Sequence, residues 1–174
     1  MKKYYLVVIT TFLLLLSGCA TVTSDIQVEA EQISSVKLSN YKSYDWLGAQ
    51  GVLKDPNKTW QPPNLDLAGD IKFLIDRELR NRHIYSTSGK PDLAVSFFVG
   101  VDMEYQEIQL DSVTKIKFNK KIPKGALIVA LVDVSSGKVI WLGEAVADIQ
   151  KNVTDDVVRE RLDYTVTEMF KLLP

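Results

Sequence analysis

Cys19 and His83 are the only thiol and the only imidazole in the 174 residues, and between them they bound the chemistry open to this chain. One histidine excludes metal sites built on two imidazoles, and a nucleophilic triad would have to be assembled on His83 itself. His83 stands near a helix end, where an imidazole complements the helix dipole or fills a turn. Acidic residues are plentiful, but no pair falls in a motif that assigns acid and base roles. Ser88-Gly89-Lys90-Pro91 lacks phosphate-loop spacing and precedes a strand. The reading is of a chain with no catalytic residue, no metal and no cofactor, and therefore of a protein that is not an enzyme.

Cys19 has a setting of its own. Lys2 and Lys3 precede thirteen residues, Tyr4 to Leu16, broken only by Thr10 and Thr11. That run is too short to cross about 30 Å of hydrocarbon, which takes roughly 20 apolar residues, but it has the length of a signal-peptide apolar region. It ends in Leu16-Ser17-Gly18-Cys19. Two small residues let the chain enter a peptidase in extended form, and the cysteine then supplies a thiol for acylation. The four residues resemble the lipobox of bacterial lipoproteins. The alternative, an ordinary signal peptide with a chance cysteine, leaves an exported chain with a thiol that has no internal partner. On the lipobox reading residues 1–18 are the signal peptide, 19–24 a lipidated tether and 25–174 a single domain. Two or more acyl chains on Cys19 would anchor it stably. Ala20, where Asp would mark retention, directs the protein to the outer membrane with its domain in the periplasm.

What these residues need is a scaffold, and composition allows one. Loss of residues 1–18 leaves one domain's length and, by removing Lys2 and Lys3, takes the formal charge from −1 to −3. No overall basic field exists to attract phosphates, so nucleic acid is excluded as a partner. At 46% hydrophobic residues the chain can bury a core without disulfides.

The elements follow from periodicity. Ile26, Val28 and Ala30 alternate with polar residues and predict a strand over 25–32, and a second strand spans 41–47. The Gly-, Pro- and Asn-rich stretch 48–64 reads as a loop ending in Asn64, a helix N-cap. Leu67, Ile71, Leu74, Ile75 and Leu79 share one face of a helix over about 65–82, with Lys72–Asp76 and Asp76–Arg80 able to pair outside. Alternation at Leu93, Val95, Phe97, Val99, Val101 and Met103 marks a long strand. Ile108 to Phe118 is a weaker one. Residues 125–149 form two apolar strands joined at Ser135-Ser136-Gly137, with Gly137 suited to positive φ. Asn152 or Thr154 caps a last helix carrying Val158, Leu162, Val166, Met169 and Leu173 on one stripe. The expected fold is α+β: a two-layer sandwich of a mostly antiparallel sheet, five or six strands, under two amphipathic helices. The first helix is expected to be a right-handed crossover between parallel strands.

Four segments, Asn40-Tyr41-Lys42-Ser43-Tyr44-Asp45-Trp46-Leu47-Gly48, Pro91-Asp92-Leu93-Ala94-Val95-Ser96-Phe97, the stretch from Leu131 through Gly137-Lys138 and Trp141 to Ala145, and the terminal Met169 to Pro174, resemble a family of small bacterial envelope lipoproteins known only as a domain of unknown function. The resemblance spans nearly all of the chain after Cys19. It implies an envelope location and the fold just described, and carries no activity to transfer. Ser43 replaces the family's usual Thr, and His83 stands where the family commonly ends its first helix with Gly, which puts that turn's geometry in question.

Three features are left over. Trp46 and Trp141 would serve a ligand-stacking platform or, as two residues on predicted strands, the core. Glu78 falls within the apolar stripe of the first helix, where it pairs with Arg82 at i+4 or stands as a buried carboxylate. Lys115, Lys117, Lys120, Lys121 and Lys124 lie in a stretch, 112–132, without one acidic residue. They form a solvated strand edge or a patch for an anionic surface. The functional expectation is a binding or scaffolding module held on the membrane by its acyl chains, with an envelope protein or anionic surface as further partner. The alternatives are a hydrolase-type enzyme with carboxylates in a cleft, and an accessory lipoprotein of an envelope transport or assembly complex.

Overall fold

The structure is a computed structural model, and it describes residues 22–32, 37–47, 51–53, 65–101, 107–111, 114–117, 125–150 and 153–174. Strand β8 (Gly125–Asp133) is its spine: seven consecutive residues, Ala126 to Val132, are buried. Such a run needs neighbours on both edges, and it has them. β9 (Lys138–Ala147) and β5 (Leu93–Val101) flank it antiparallel. β1 (Gln27–Gln32) adds to the far edge of β9, and β2 (Ser43–Trp46) adds parallel to β5, followed by the two-residue β4 (Tyr85–Ser86). The order is β1-β9-β8-β5-β2-β4, with β3 (Gly51–Leu53) also running parallel to β5, at Phe98 to Gly100. The long pairings are antiparallel and the short ones parallel, so the sheet is open and mixed, within the α+β class expected.

One face of that sheet carries both helices, α1 (Leu67–Asn81) and α2 (Asp155–Lys171). Val95, Phe97 and Val99 of β5 pair in register with Leu131, Val129 and Leu127 of β8. They meet both predicted helical stripes, all ten residues of which are buried in one cluster. On the opposite face alternation places Ala94, Ser96, Ala126, Ile128 and Ala130, also buried. Thr154 caps α2, its Oγ1 accepting from the Val157 amide. For α1 the cap is Asp66, whose carboxylate accepts from the Gly69 amide at 3.0 Å, while Asn64 lies outside the described residues.

Two expectations need correcting. The single strand over 108–118 is two short ones, β6 (Glu107–Asp111) and β7 (Thr114–Lys117), which pair antiparallel as a separate sheet. Its residues lack the sustained apolar alternation that would bind it to a core. On the outer face of α1 the pairs expected among Lys72, Asp76 and Arg80 give way to tertiary contacts. Asp76 accepts the Tyr44 hydroxyl, and the Lys72 ammonium lies 5.3 Å from the centre of the Trp46 ring.

His83 ends α1 in the left-handed region, with φ 60°. Its amide donates to the Arg80 carbonyl and the Ile84 amide to that of Leu79, both at 3.0 Å, which closes a Schellman turn with Ile84 and Leu79 buried beneath it. The conformation costs a non-glycine residue about 1–2 kcal/mol, and glycine loses up to ~1 kcal/mol of that advantage to unfolded-state entropy. His83→Gly is therefore expected to stabilise the domain by about 0.5–1 kcal/mol in denaturant titration. No gain would mean that the 3.4 Å contact of the imidazole with the Tyr85 hydroxyl offsets the strain.

Candidate functional site

Three of the recognised segments converge at one end of β8. Asp133 closes the strand and its Oδ2 accepts the Tyr41 hydroxyl at 2.7 Å. Its Oδ1 takes the Ser135 hydroxyl and the Ser136 amide, each at 2.6 Å, and the Ser136 hydroxyl at 2.9 Å. Beside it Asp92 Oδ2 accepts the Lys42 and Ser43 amides and the Ser43 hydroxyl within 3.0 Å. The Asp92 carbonyl in turn accepts the Val134 amide at 3.0 Å. Both carboxyls are held below their usual range, Asp133 first by the Ser135 hydroxyl and Asp92 first by the Lys42 amide. Burial, with the Asp133 bond, pushes the Tyr41 hydroxyl up to about 12. A carboxylate surrounded by donors is stabilised as the anion and is a poor proton donor or acceptor near neutrality. This cluster is a clasp: it ties the loop before β2, the start of β5 and the β8–β9 turn, where Gly137 adopts φ 66°.

Between the helices lies a second set of charges. Glu78 is buried, and two arginines reach it: Arg77 of α1 at 2.9 Å and, as the i+4 spacing suggested, the C-cap residue Arg82 at 3.2 Å. Arg77 also bonds Asp163 and Thr167 of α2, and Arg82 donates to the Phe170 carbonyl. Glu78 therefore joins the two helices as the centre of an ion-pair network. Trp141 is core: 1% exposed, with its ring 5.4 Å from that of Phe170. Trp46 is half-buried, edge-on to Tyr44 and Phe97. Neither tryptophan forms an open stacking platform.

At the other end of β8, about 27 Å away by strand rise, the chain's N-terminal segment is held fast. Arg161, on the sheet-facing side of α2, donates from both terminal nitrogens to the two Asp25 carboxylate oxygens at 2.7 Å. It also donates to the Val22 carbonyl and, at 3.3 Å, to that of Asp148. The Asp148 amide donates to Asp25 at 2.8 Å. The polypeptide is thus fixed from Val22 onward, inside the stretch expected to be tether. Beside the clamp a cavity of about 100 Å³ opens between the ends of β5, β8 and β9 and the first three turns of α2. Its walls are apolar, among them Ile26, Leu127, Ile149, Val158 and Leu162, and Arg161 stands on them too. Small residues at the strand ends (Gly100, Gly125, Ala145 and Ala147) leave the space.

The clamp makes a pH prediction. The Arg161 guanidinium, aided by the Asp148 amide, lowers the Asp25 carboxyl from 3.8 to about 2. A carboxylate more acidic in the folded state contributes stability above its unfolded pKa and loses it as the pH falls toward the folded one. With the pair partly open to solvent, the contribution is about 1–2 kcal/mol, present above pH ~4 and gone near pH ~2. Wild type should lose more stability than Asp25→Asn between those limits in an acid series of denaturant melts. Parallel curves would show that the pair carries no net energy.

Of the residues singled out in the sequence, Leu16, Ser17, Gly18 and Cys19 lie outside the described residues, as do Lys120, Lys121 and Lys124. Lys115 and Lys117 fall on β7, at register positions opposite Gln109 and Glu107 of β6. Among the described residues no group of His, Cys, Asp or Glu could hold a metal ion, and no helix is long and apolar enough to cross a membrane. The clamp had no sequence signal: Asp25 and Arg161 are 136 positions apart and sit in no motif.

The geometry defines an open-sheet α+β domain with a motif-built clasp at one pole and its N-terminal segment clamped at the other. The chain belongs to the DUF4136 family, a domain of unknown function, whose family model matches residues 28–174. A DUF4136 family protein from Bacteroides thetaiotaomicron has the same fold, with a TM-score of 0.62 at 10% identity, over 86% of this chain and 96% of that one. A PDZ domain protein from Parabacteroides distasonis aligns over 92% of this chain but 40% of its own length, at 16% identity and a TM-score of 0.48. A minor lipoprotein from Acinetobacter baumannii aligns more loosely, with a TM-score of 0.32 at 11% identity over 77% of this chain and 93% of its own. No curated protein matches the chain significantly.

Proposed function

We propose that this protein is a lipoprotein of the bacterial outer membrane, acylated at Cys19 after removal of residues 1–18, whose periplasmic domain acts as a binding or scaffolding module. The observation that carries the reading is Leu16-Ser17-Gly18-Cys19 closing a thirteen-residue apolar run behind Lys2 and Lys3. The clamp supports it, because a chain fixed from Val22 onward turns an anchor at Cys19 into a defined position for the whole domain. Saturation of Asp92 and Asp133 by hydrogen-bond donors favours binding over catalysis, since neither carboxylate is poised to move a proton.

Cys19→Ser is expected to abolish incorporation of labelled palmitate and to leave an unprocessed precursor still carrying residues 1–18. Palmitate entering the mutant protein would overturn the acylation site. Wild-type protein sedimenting with inner rather than outer membranes would overturn the destination alone.

A further inference from the structure

A space of about 100 Å³ between apolar walls is smaller than the ~150 Å³ that accommodates a benzene ring in a protein interior, so it suits a slender chain end rather than a ring. Its one lining cation among the described residues is already engaged: Arg161 is bonded to Asp25, Val22 and Asp148, which leaves it little capacity for an anionic headgroup. What fits is an apolar chain whose polar end stays outside.

The position of the cavity names a source for that chain. Ile26 lines it, and the Val22 carbonyl is bonded to Arg161, which lines it too. Cys19 is three residues before Val22. Fully extended, three residues span at most about 11 Å, so any group carried by Cys19 begins within about that distance of Val22, which is bonded to a residue of the cavity wall. A tethered group at such short range has a high effective concentration.

We infer that the cavity receives the end of an acyl chain carried by the protein's own Cys19. This rests on the acylation proposed above. One acyl chain then lies against the domain while the others insert in the bilayer, and the clamped pole sits at the membrane surface.

The test uses full-length protein from cells fed a fatty acid with a terminal diazirine, which is photoactivated after purification in detergent. Cross-links are expected between the Cys19 acyl group and peptides spanning 145–162. Gly125→Leu should remove them. A Cβ there would stand 3.6 Å from the Ile149 side chain and 3.7 Å from the Ala147 carbonyl, ordinary contacts, so a larger residue can fill the space with the fold intact. The yield should fall about tenfold, the change expected when two or so methylenes lose their burial. If that variant melts lower than wild type, Ala147→Leu gives the same reading from the neighbouring strand, where Ala147 pairs with Gly125. Cross-links spread over the surface, confined to detergent, or unchanged in a well-folded filled variant overturn the inference. So does capture of the cavity by an uncleaved 1–18 segment. Intact mass separates the two readings: acylated protein without cross-links into the cavity overturns this inference alone, whereas unacylated protein overturns the Cys19 reading and this inference with it.

Discussion

Trp141→Ala is expected to lower the stability of the folded domain by about 3–5 kcal/mol, a large share of the 5–15 kcal/mol that holds most domains together. The ring is buried at 1% exposure between β9 and α2, tilted 50° to the Phe170 ring, with Trp141 and Met169 both crowding the space over Gly143. Truncation removes its transfer energy and leaves a cavity walled by residues that are themselves immobilised. One feature works against the full cost. The indole N–H is buried without an acceptor among the described residues, and an unpaired donor costs about 1–3 kcal/mol that alanine does not incur. The loss should therefore fall near the lower bound, and Trp141→Phe should cost far less than Trp141→Ala because it keeps most of the apolar contact while deleting the orphan donor. In a domain of this size the alanine variant should melt about 10 °C lower. Equal melting temperatures would place the ring at the surface.

Gly143→Ala should be the most damaging addition of a single methyl group, at about 1–3 kcal/mol. A Cβ at that position would stand 2.4 Å from the Trp141 ring and 2.5 Å from Met169 Cγ, distances real side chains do not tolerate. Gly143 pairs with Val129 on β8 and with Ala30 on β1, so its backbone is held from both sides and cannot retreat. The neighbours must move instead. Combining the change with Met169→Ala should recover at least ~1 kcal/mol relative to the sum of the two single variants, because the second substitution vacates the space the first invades. Additivity within ~0.3 kcal/mol would show that Gly143 is required for its backbone and not for its missing side chain.

Trp141 and Gly143 also show how far the sequence could be followed. The tryptophan was legible as core, since a large apolar residue on a near-continuous apolar strand has to be covered. The need for glycine two residues later was not. It arises because Trp141 and Met169, 28 positions apart in the chain, meet over that one backbone atom. Glu78 behaved similarly. Its pairing with Arg82 follows from helix geometry, but the second partner, Arg77, reaches it while also bridging to Asp163 on α2. The outer face of α1 was misread for the same reason: Asp76 and Lys72 had plausible partners one turn away, and β2 supplied Tyr44 and Trp46 instead.

Local periodicity thus determined the two helices, their buried stripes, the β8–β9 hairpin and the α+β class, because each rests on spacings of two to four residues that the backbone enforces wherever a single face must be buried. The proposed anchor at Cys19 rests on the sequence alone, since a peptidase and an acyltransferase read residues in sequence. What only the tertiary structure decided were the contacts between distant segments. Asp133 and Asp92 became a clasp when three loops met at one pole. Asp25 found Arg161, and the cavity opened beside them, when β1 closed the far edge of the sheet. Such pairs depend on strand order and helix placement, which follow from the packing of the whole core and leave no periodic mark in the chain.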